Sequence, residues 1–285
     1  MSEVSVTRDV VYGEAGEGRP LRLDLYRPAA PNGAAVILVH GGGWSKGDRS
    51  MLVEHAKHLA RDGFVALVPE YRLTPEAHWP AQIHDVKRAI RWTRSQAASL
   101  GFEPERLCLQ GHSAGAHLVL LAAGTPNERR LDPPEADTSI PAACAAVAAI
   151  YPPVLMYRGE TRPSGGTAAR ALPGCDASDE ACQLASPIHH LGAGYPPAML
   201  LHGDVDKIVP VSASRRFEEA LRAAGGKVDL HIFAGLPHGF ANNPKLRPML
   251  MTMISAFFQR TVADPAAFVM ETPPPAREPA PAWQG

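Results

Sequence analysis

An excess of charge of one sign is what this chain most plainly lacks. Its 28 Lys and Arg face 29 Asp and Glu, leaving a net charge of −1. That balance excludes the electrostatic footprint of a nucleic-acid binder or of a protein held on an anionic membrane surface. Long apolar runs are missing too: no stretch approaches the ~20 apolar residues that a membrane helix needs. The opening segment has neither the basic start nor the apolar run of a signal peptide, so a soluble, cytoplasmic protein is the expectation. Cysteine is sparse, with only Cys108, Cys144, Cys175 and Cys182 present. None is spaced as C-x-x-C, which argues against a structural zinc, and no H-E-x-x-H pattern offers a catalytic metal. No cofactor is expected. Cys108 and Cys144 lie in apolar surroundings and read as buried small hydrophobes. Cys175 and Cys182 flank a polar segment and could pair, but a reducing compartment favours free thiols.

What the chain does have is a core and a rhythm. It is 45% apolar over 285 residues, enough to bury a sizeable interior. Segments 4–12 and 21–26 read as strands, the second alternating apolar and polar residues. Segments 36–40 and 64–68 are continuous apolar runs, as in strands buried on both faces. Residues 51–61 have helical periodicity closed by Gly63, and a long amphipathic helix runs from Pro80 to Leu100 with Ile83, Val86 and Ile90 on one side. Further strands fall at 107–110, 145–150, 198–202 and 228–233, with helices at 114–123, 211–224 and 246–260. The alternation predicts an α/β fold, a mostly parallel central sheet flanked by helices. One domain is expected over 1–262. Within it, 151–196 breaks the rhythm with Gly, Pro and polar residues, and reads as a short cap insertion at the strands' C-terminal edge, where ligands bind in such sheets. From Asp264 the chain is proline-rich, so 263–285 reads as an extended or disordered tail.

The chemistry lies in the loops. Gly111-His112-Ser113-Ala114-Gly115 is a G-x-S-x-G nucleophile elbow, placed between a predicted strand and a predicted helix as that motif requires. A serine hydroxyl is a weak nucleophile, so it needs a base to take its proton and a third group to orient the base. On this fold the order along the chain is Ser, acid, His. His231 and His238 come late enough; His231 sits inside an alternating strand, whereas His238 follows that strand in a Gly/Pro-rich loop, where a base belongs. Two aspartates, Asp204 and Asp206, compete for the acid after the strand at 198–202, and Asp204 could instead cap the turn. The oxyanion hole should join the Ala114 N–H to N–H groups of the 41–43 glycine run, which approaches the substrate with no Cβ in the way. Arg72 and Asp85 read as a structural ion pair. His189 and His190 read as surface residues near the pocket mouth.

Taken together, HGGGWSKGD at 40–48, EYRLTPEAHWPAQIHDV at 70–86, GHSAG at 111–115, ASPI at 185–188, HGDVDKIVP at 202–210 and LPHGF at 236–240 occur in the order of a known family. The chain resembles the hormone-sensitive-lipase-like and feruloyl/acetyl-esterase-like branch of the α/β-hydrolases, which also holds relatives of kynurenine formamidase. The resemblance implies that Asp206, three places before the Val of G-x-x-D-x-x-V-P, is the triad acid, and that His238 of H-G-F is the base. It also implies that Gly42 and Gly43 are the oxyanion donors beside Ala114, with His40 holding the glycine loop. Where relatives often carry Tyr-Leu-Gly-Gly before ASPI, this chain has Ala171-Leu172-Pro173-Gly174-Cys175.

Three functions compete. The first is a serine carboxylesterase acting on small or short-acyl esters through an acyl-Ser113 intermediate, since the short insertion leaves little room for a lipase lid. The second is an arylformamidase using the same triad, to which the H-G-G-x-W pattern with Trp44 is suited. The third is a non-catalytic ligand binder, disfavoured because Ser113, Asp206 and His238 are all present. The expected partner is a small-molecule ester, with no nucleic acid and no membrane; a homodimer is left open.

Overall fold

The computed structural model describes residues 3–156 and 179–270. Its strands are β1 (Ser5–Ala15), β2 (Arg19–Arg27), β3 (Ala35–Val39), β4 (Val65–Pro69), β5 (Leu107–His112), β6 (Ala146–Ile150), β7 (Ala198–Gly203) and β8 (Val228–Phe233). They form one eight-stranded sheet in the order β1-β2-β4-β3-β5-β6-β7-β8. Pairs β1·β2 and β2·β4 are antiparallel, and the pairs from β4 across to β8 are parallel. The expected mostly parallel sheet is present, and its helices are α1 (Val53–Arg61), α2 (Ala81–Ser95), α3 (Ala97–Leu100), α4 (Ala114–Gly124), α5 (Asp179–Leu184), α6 (Ser212–Ala223) and α7 (Arg247–Phe258).

The two-residue period of a strand divides the apolar runs between two cores. Val36, Leu38, Cys108, Ala148, Ile150 and Leu201 pack with Leu59 of α1 and Ile254 and Phe258 of α7. Ile37, Val39, Leu109, Val147 and Leu200 face the other way, against Ile83 and Val86 of α2, Leu118 of α4 and Phe217 of α6. Burial on both faces is why these central strands carry no polar alternation. β2, nearer the sheet edge, admits Asp24, whose buried carboxylate accepts from Arg8 at 2.9 Å and Arg49 at 2.6 Å.

Several boundaries differ from expectation. The helix foreseen from Pro80 to Leu100 ends at Ser95, because the Ser95 hydroxyl donates to the Trp92 carbonyl and Gln96 leaves the helical region at φ −95°, ψ 4°; α3 then restarts as a separate turn. The elbow strand continues through Gly111 and His112, which pair with Ala149 and Ile150. The last helix is followed by a turn of π-helix at Gln259–Ala263, and the stretch read as an extended tail begins with order: Asp264 caps a 3-10 turn over Pro265–Phe268 by accepting from the Ala267 N–H. Residues 271–285 lie outside the described chain.

Of the 151–196 segment, 157–178 lies outside the described residues, and Cys175 with it. The part that returns is anchored by the ASPI motif. Ser186, fully buried, donates to the Cys182 carbonyl at 2.6 Å and accepts from the Met156 N–H at 2.7 Å, tying the two ends of the segment together. The Ala185 carbonyl meets His117 of α4 at 2.8 Å. Cys108 and Cys144 are free thiols, and burial holds both protonated, pushing Cys144 up to about 12. The Arg72–Asp85 pair forms as expected: the guanidinium clasps the fully buried carboxylate at 2.8 and 2.7 Å, with the Arg72 N–H adding a third bond. Among the described residues no helix is long and apolar enough to cross a membrane.

Four of the buried histidines, His40, His55, His112 and His117, tie stability to pH. Burial pushes His55 and His117 down to about 4, takes His112 well below its ordinary value, and lowers His40. Each is neutral in the folded chain, while in the unfolded chain each gains a proton near pH 6.5. Between pH 6.5 and 4 the unfolded state therefore binds more protons, so stability falls with pH at up to ~1.4 kcal/mol per pH unit for each histidine. Urea midpoints measured from pH 7.5 to 4.5 should be level above 6.5 and drop steeply below it. A flat profile would contradict neutral burial.

Candidate active site

The elbow is built by close packing. A Cβ on Gly111 would lie 2.3 Å from the Gly115 carbonyl oxygen, and one on Gly115 would lie 2.1 Å from the Val39 carbonyl oxygen. The strand-to-helix turn is thus too tight for any side chain at either glycine, which is the physical content of the G-x-S-x-G spacing. Between them Ser113 is held at φ 51°, ψ −115°, a conformation that costs a non-glycine residue about 1–3 kcal/mol. The Ser113 N–H bonds the Ile150 carbonyl at 2.9 Å, and its own carbonyl accepts from His117 to start α4. Ser113 is left partly exposed above the C-terminal edge of the sheet.

His238 comes to it from the loop after β8. Its Nε2 lies 3.0 Å from Ser113 Oγ and its Nδ1 2.6 Å from Asp206 Oδ2. Asp206 follows β7, and its other oxygen accepts the N–H groups of Ile208 and Val209 at 2.8 and 2.9 Å. Burial alone would raise the pKa of this carboxyl. Hydrogen bonds from His202, His238 and the Val209 N–H outweigh that effect and hold it well below the ordinary carboxylate value. An ionised carboxylate only accepts, so His238 carries its proton on Nδ1 and turns the Nε2 lone pair to Ser113. The competing Asp204 is exposed and accepts the Gly235 N–H at 2.7 Å, joining the two loops without touching His238. His231 stays within β8.

The glycine run crosses in front of the elbow. A Cβ on Gly41 would stand 3.2 Å from the Cβ of Ser113. Gly42 has φ 118°, and a side chain there would collide with the Lys46 carbonyl, whose residue closes the turn by donating its N–H to the Gly42 oxygen at 3.1 Å. His40 stacks on Tyr71 with ring centroids 4.5 Å apart, and its Nδ1 meets the Gly41 carbonyl at 2.7 Å, so it braces the loop from behind. Ala114 opens α4, and its N–H has no carbonyl one turn earlier to satisfy it. Gly42, Gly43 and Ser113 all border one cavity of about 410 Å³.

Several lining residues have no role assigned from the sequence. Tyr151, at φ 43° after β6, sets its ring 4.4 Å from that of His238 and forms the floor beside it. Met51, Leu52 and Ile208 supply apolar wall, Asn242 lies near His238, and Lys46 is the one side chain of fixed charge among the described lining. Trp44 is not in that wall: it is buried against His117, ring centroids 5.3 Å apart, and its carbonyl accepts the Thr74 N–H. His189 is exposed, and His190 bonds the Leu184 carbonyl. No group of His, Cys, Asp or Glu among the described residues is arranged to hold a metal ion.

The chain has relatives among known esterases. It is 34% identical over 230 residues to the probable carboxylic ester hydrolase LipM of Mycobacterium tuberculosis, an alignment covering 75% of this chain and 51% of LipM. With carboxylesterase NlhH of the same organism it is 31% identical over 237 residues, covering 78% of this chain and 71% of NlhH. The chain thus spans about half the length of LipM and most of NlhH. The apo form of Thermogutta terrifontis esterase 2 superposes with a TM-score of 0.76 at 29% identity, covering 90% of this chain and 93% of that one. The sheet order, with helices on both faces, is that of the α/β-hydrolase fold which these esterases share. The BD-FAE family model matches residues 23–221, and the chain belongs to the BD-FAE family.

Proposed function

We propose that this chain is a serine carboxylesterase that hydrolyses small, short-acyl esters, with residues 1–262 as the catalytic unit. The observation that carries the reading is His238 bridging Ser113 Oγ and Asp206 Oδ2 at 3.0 and 2.6 Å. The esterase character of the relatives supports it.

Ser113 Oγ attacks the ester carbonyl carbon as His238 Nε2 takes its proton. The carbonyl oxygen becomes an oxyanion held by the N–H groups of Gly42, Gly43 and Ala114, each such donor being worth about 3 kcal/mol of transition-state stabilisation. The C–O bond to the alcohol then breaks, and the imidazolium passes its proton to the leaving oxygen. Water enters, gives a proton to His238 and attacks the acyl carbon. The proton returns to Ser113 Oγ and the carboxylic acid leaves. Asp206 keeps the imidazole in the needed tautomer throughout and stabilises its cation.

Acyl length follows from volume. A space of about 410 Å³ must hold acyl group and alcohol together, and it lies near the lower end of ordinary ligand pockets. Solved structures of Thermogutta terrifontis esterase 2 include propionate-bound and butyrate-bound forms, which agrees with a short acyl site. The formamidase reading drew on Trp44, and the burial of that side chain away from the cavity removes its specific support. The test is hydrolysis of p-nitrophenyl esters from acetate to decanoate. Rates should peak between acetate and butyrate and fall at least about tenfold by decanoate, as acyl carbons lose their place in the pocket. Rates climbing to decanoate, or absent on every ester, would overturn the assignment.

A further inference from the structure

Behind the triad acid lies a second histidine. His202 sits in β7, fully buried, at a position where a two-faced strand ordinarily carries an apolar side chain. Both of its ring nitrogens are engaged. Nδ1 is 2.7 Å from the hydroxyl of Ser214, itself fully buried in the first turn of α6. Nε2 is 2.8 Å from the Val209 carbonyl and 3.3 Å from Asp206 Oδ2.

These contacts fix the proton. The Val209 carbonyl and the ionised Asp206 can only accept, so Nε2 carries the hydrogen. Nδ1 is then the acceptor and the Ser214 hydroxyl the donor. The Nε2–H is shared between Val209 O and the same carboxylate oxygen that receives His238 Nδ1. The other oxygen is already taken by two backbone N–H groups. Donors therefore surround the carboxylate and set its plane. Among the described residues, the ionisable groups around His202 are Asp206 and, beyond it, His238, which Tyr151 faces from the end of β6. On β8 its register partner is the apolar Ile232.

We infer that Ser214 and His202 form a positioning relay, in which a hydroxyl on α6 sets the tautomer of a buried imidazole that aims Asp206 Oδ2 at His238. The inference rests on the reading of Asp206 as the triad acid. Neither residue borders the substrate cavity, so the relay acts on the chemical step and leaves binding alone. Without the His202 donor Oδ2 is held only by His238 and, through Oδ1, by the Ile208 and Val209 N–H groups, so its aim is loosened and proton transfer slows. It also keeps more of its charge on Oδ2, which holds the imidazolium of His238 more firmly and carries the acid limb of the rate profile to higher pH.

The experiment measures kcat, KM and the pH dependence of kcat/KM on p-nitrophenyl acetate, each protein being first checked for cooperative melting. His202→Leu should lower kcat about tenfold, the effect of one misplaced hydrogen bond, with KM unchanged and the acid limb moved upward. Ser214→Ala should shift both in the same direction by about threefold in kcat, because the tautomer is loosened while the ring stays. His202→Gln places an N–H donor near the Nε2 position and should recover most of the rate. If His202→Leu does not fold, Ser214→Ala and His202→Gln decide. Folded variants with parental kcat and an unmoved acid limb, or with a lower melting temperature alone, would overturn the relay and reduce the pair to a structural contact. Asp206→Asn is run alongside: if it stays active, the triad reading itself has failed, whereas an inactive Asp206→Asn beside parental His202 and Ser214 variants disposes of the relay only.

Discussion

Ser113→Ala should abolish ester turnover, by roughly a million-fold in kcat, with little change in the fold. On the proposed mechanism the loss is that large because the three residues act as one unit: with Oγ gone, His238 has no nucleophile to deprotonate, and the N–H groups around the cavity hold a carbonyl that nothing attacks. The stability side of the expectation comes from the elbow. Its turn is fixed by the contact of Gly115 with Val39, by the approach of Gly111 to Gly115 and by the Ser113 N–H bond to Ile150, none of which uses the hydroxyl. Alanine also inherits the φ of 51° with the same Cβ, so the backbone strain is unaltered. A fluorophosphonate probe should label the parent protein at one serine and leave the variant unlabelled, while the two melt within a few degrees of each other, as expected for a change of under about 1 kcal/mol. Turnover retained in a folded Ser113→Ala protein would remove the serine mechanism.

The fold was legible where burial leaves a pattern. Apolar runs such as Ile37-Leu38-Val39 announce strands covered on both faces, and Ile83, Val86 and Ile90 announce a helix covered on one. Strand order is not written that way. Nothing in β2 and β4 as segments says that they pair antiparallel, or that β3 lies between β4 and β5, because pairing is settled by the packing of the whole sheet. Boundaries were lost to local competition, as where Ser95 turns its hydroxyl onto the helix backbone and divides α2 from α3.

The site divides in the same way. Ser113 and His238 stand out because chemistry restricts both their residue type and their surroundings. Physical reasoning on the residues alone left Asp204 and Asp206 tied, since each follows β7 in a turn; the family pattern favoured Asp206. The lining roles of Lys46 and Met51, of Tyr151 and of Asn242 were not legible, because these three segments are far apart in sequence and meet only above the strand ends. His202 was hidden for a different reason. In HGDVD it reads as the end of a strand, and its use becomes visible only when Ser214 and Asp206 are seen on either side of it.

Asp206→Asn should cost about four orders of magnitude in kcat, whereas Asp204→Asn should stay within about fivefold of the parent. The first expectation follows from the donors around the carboxylate. Ile208 and Val209 point two fixed backbone N–H groups at Oδ1, so an asparagine must turn its carbonyl oxygen toward them. Its NH₂ then occupies the place of Oδ2 and faces His238 Nδ1. The imidazole can accept that hydrogen bond only by moving its own proton to Nε2, which presents an N–H to Ser113 where a lone pair is needed. The site stays assembled with the wrong tautomer, so KM should move far less than kcat. Asp204 is exposed, and its one described side-chain bond is from the Gly235 N–H, which an asparagine oxygen can still accept. The measurement is kcat and KM for both variants on one short-acyl ester near neutral pH. The reverse ranking would transfer the acid to Asp204 and break the link between the 2.6 Å contact and catalysis. Equal, mild losses would mean that His238 works without a carboxylate behind it.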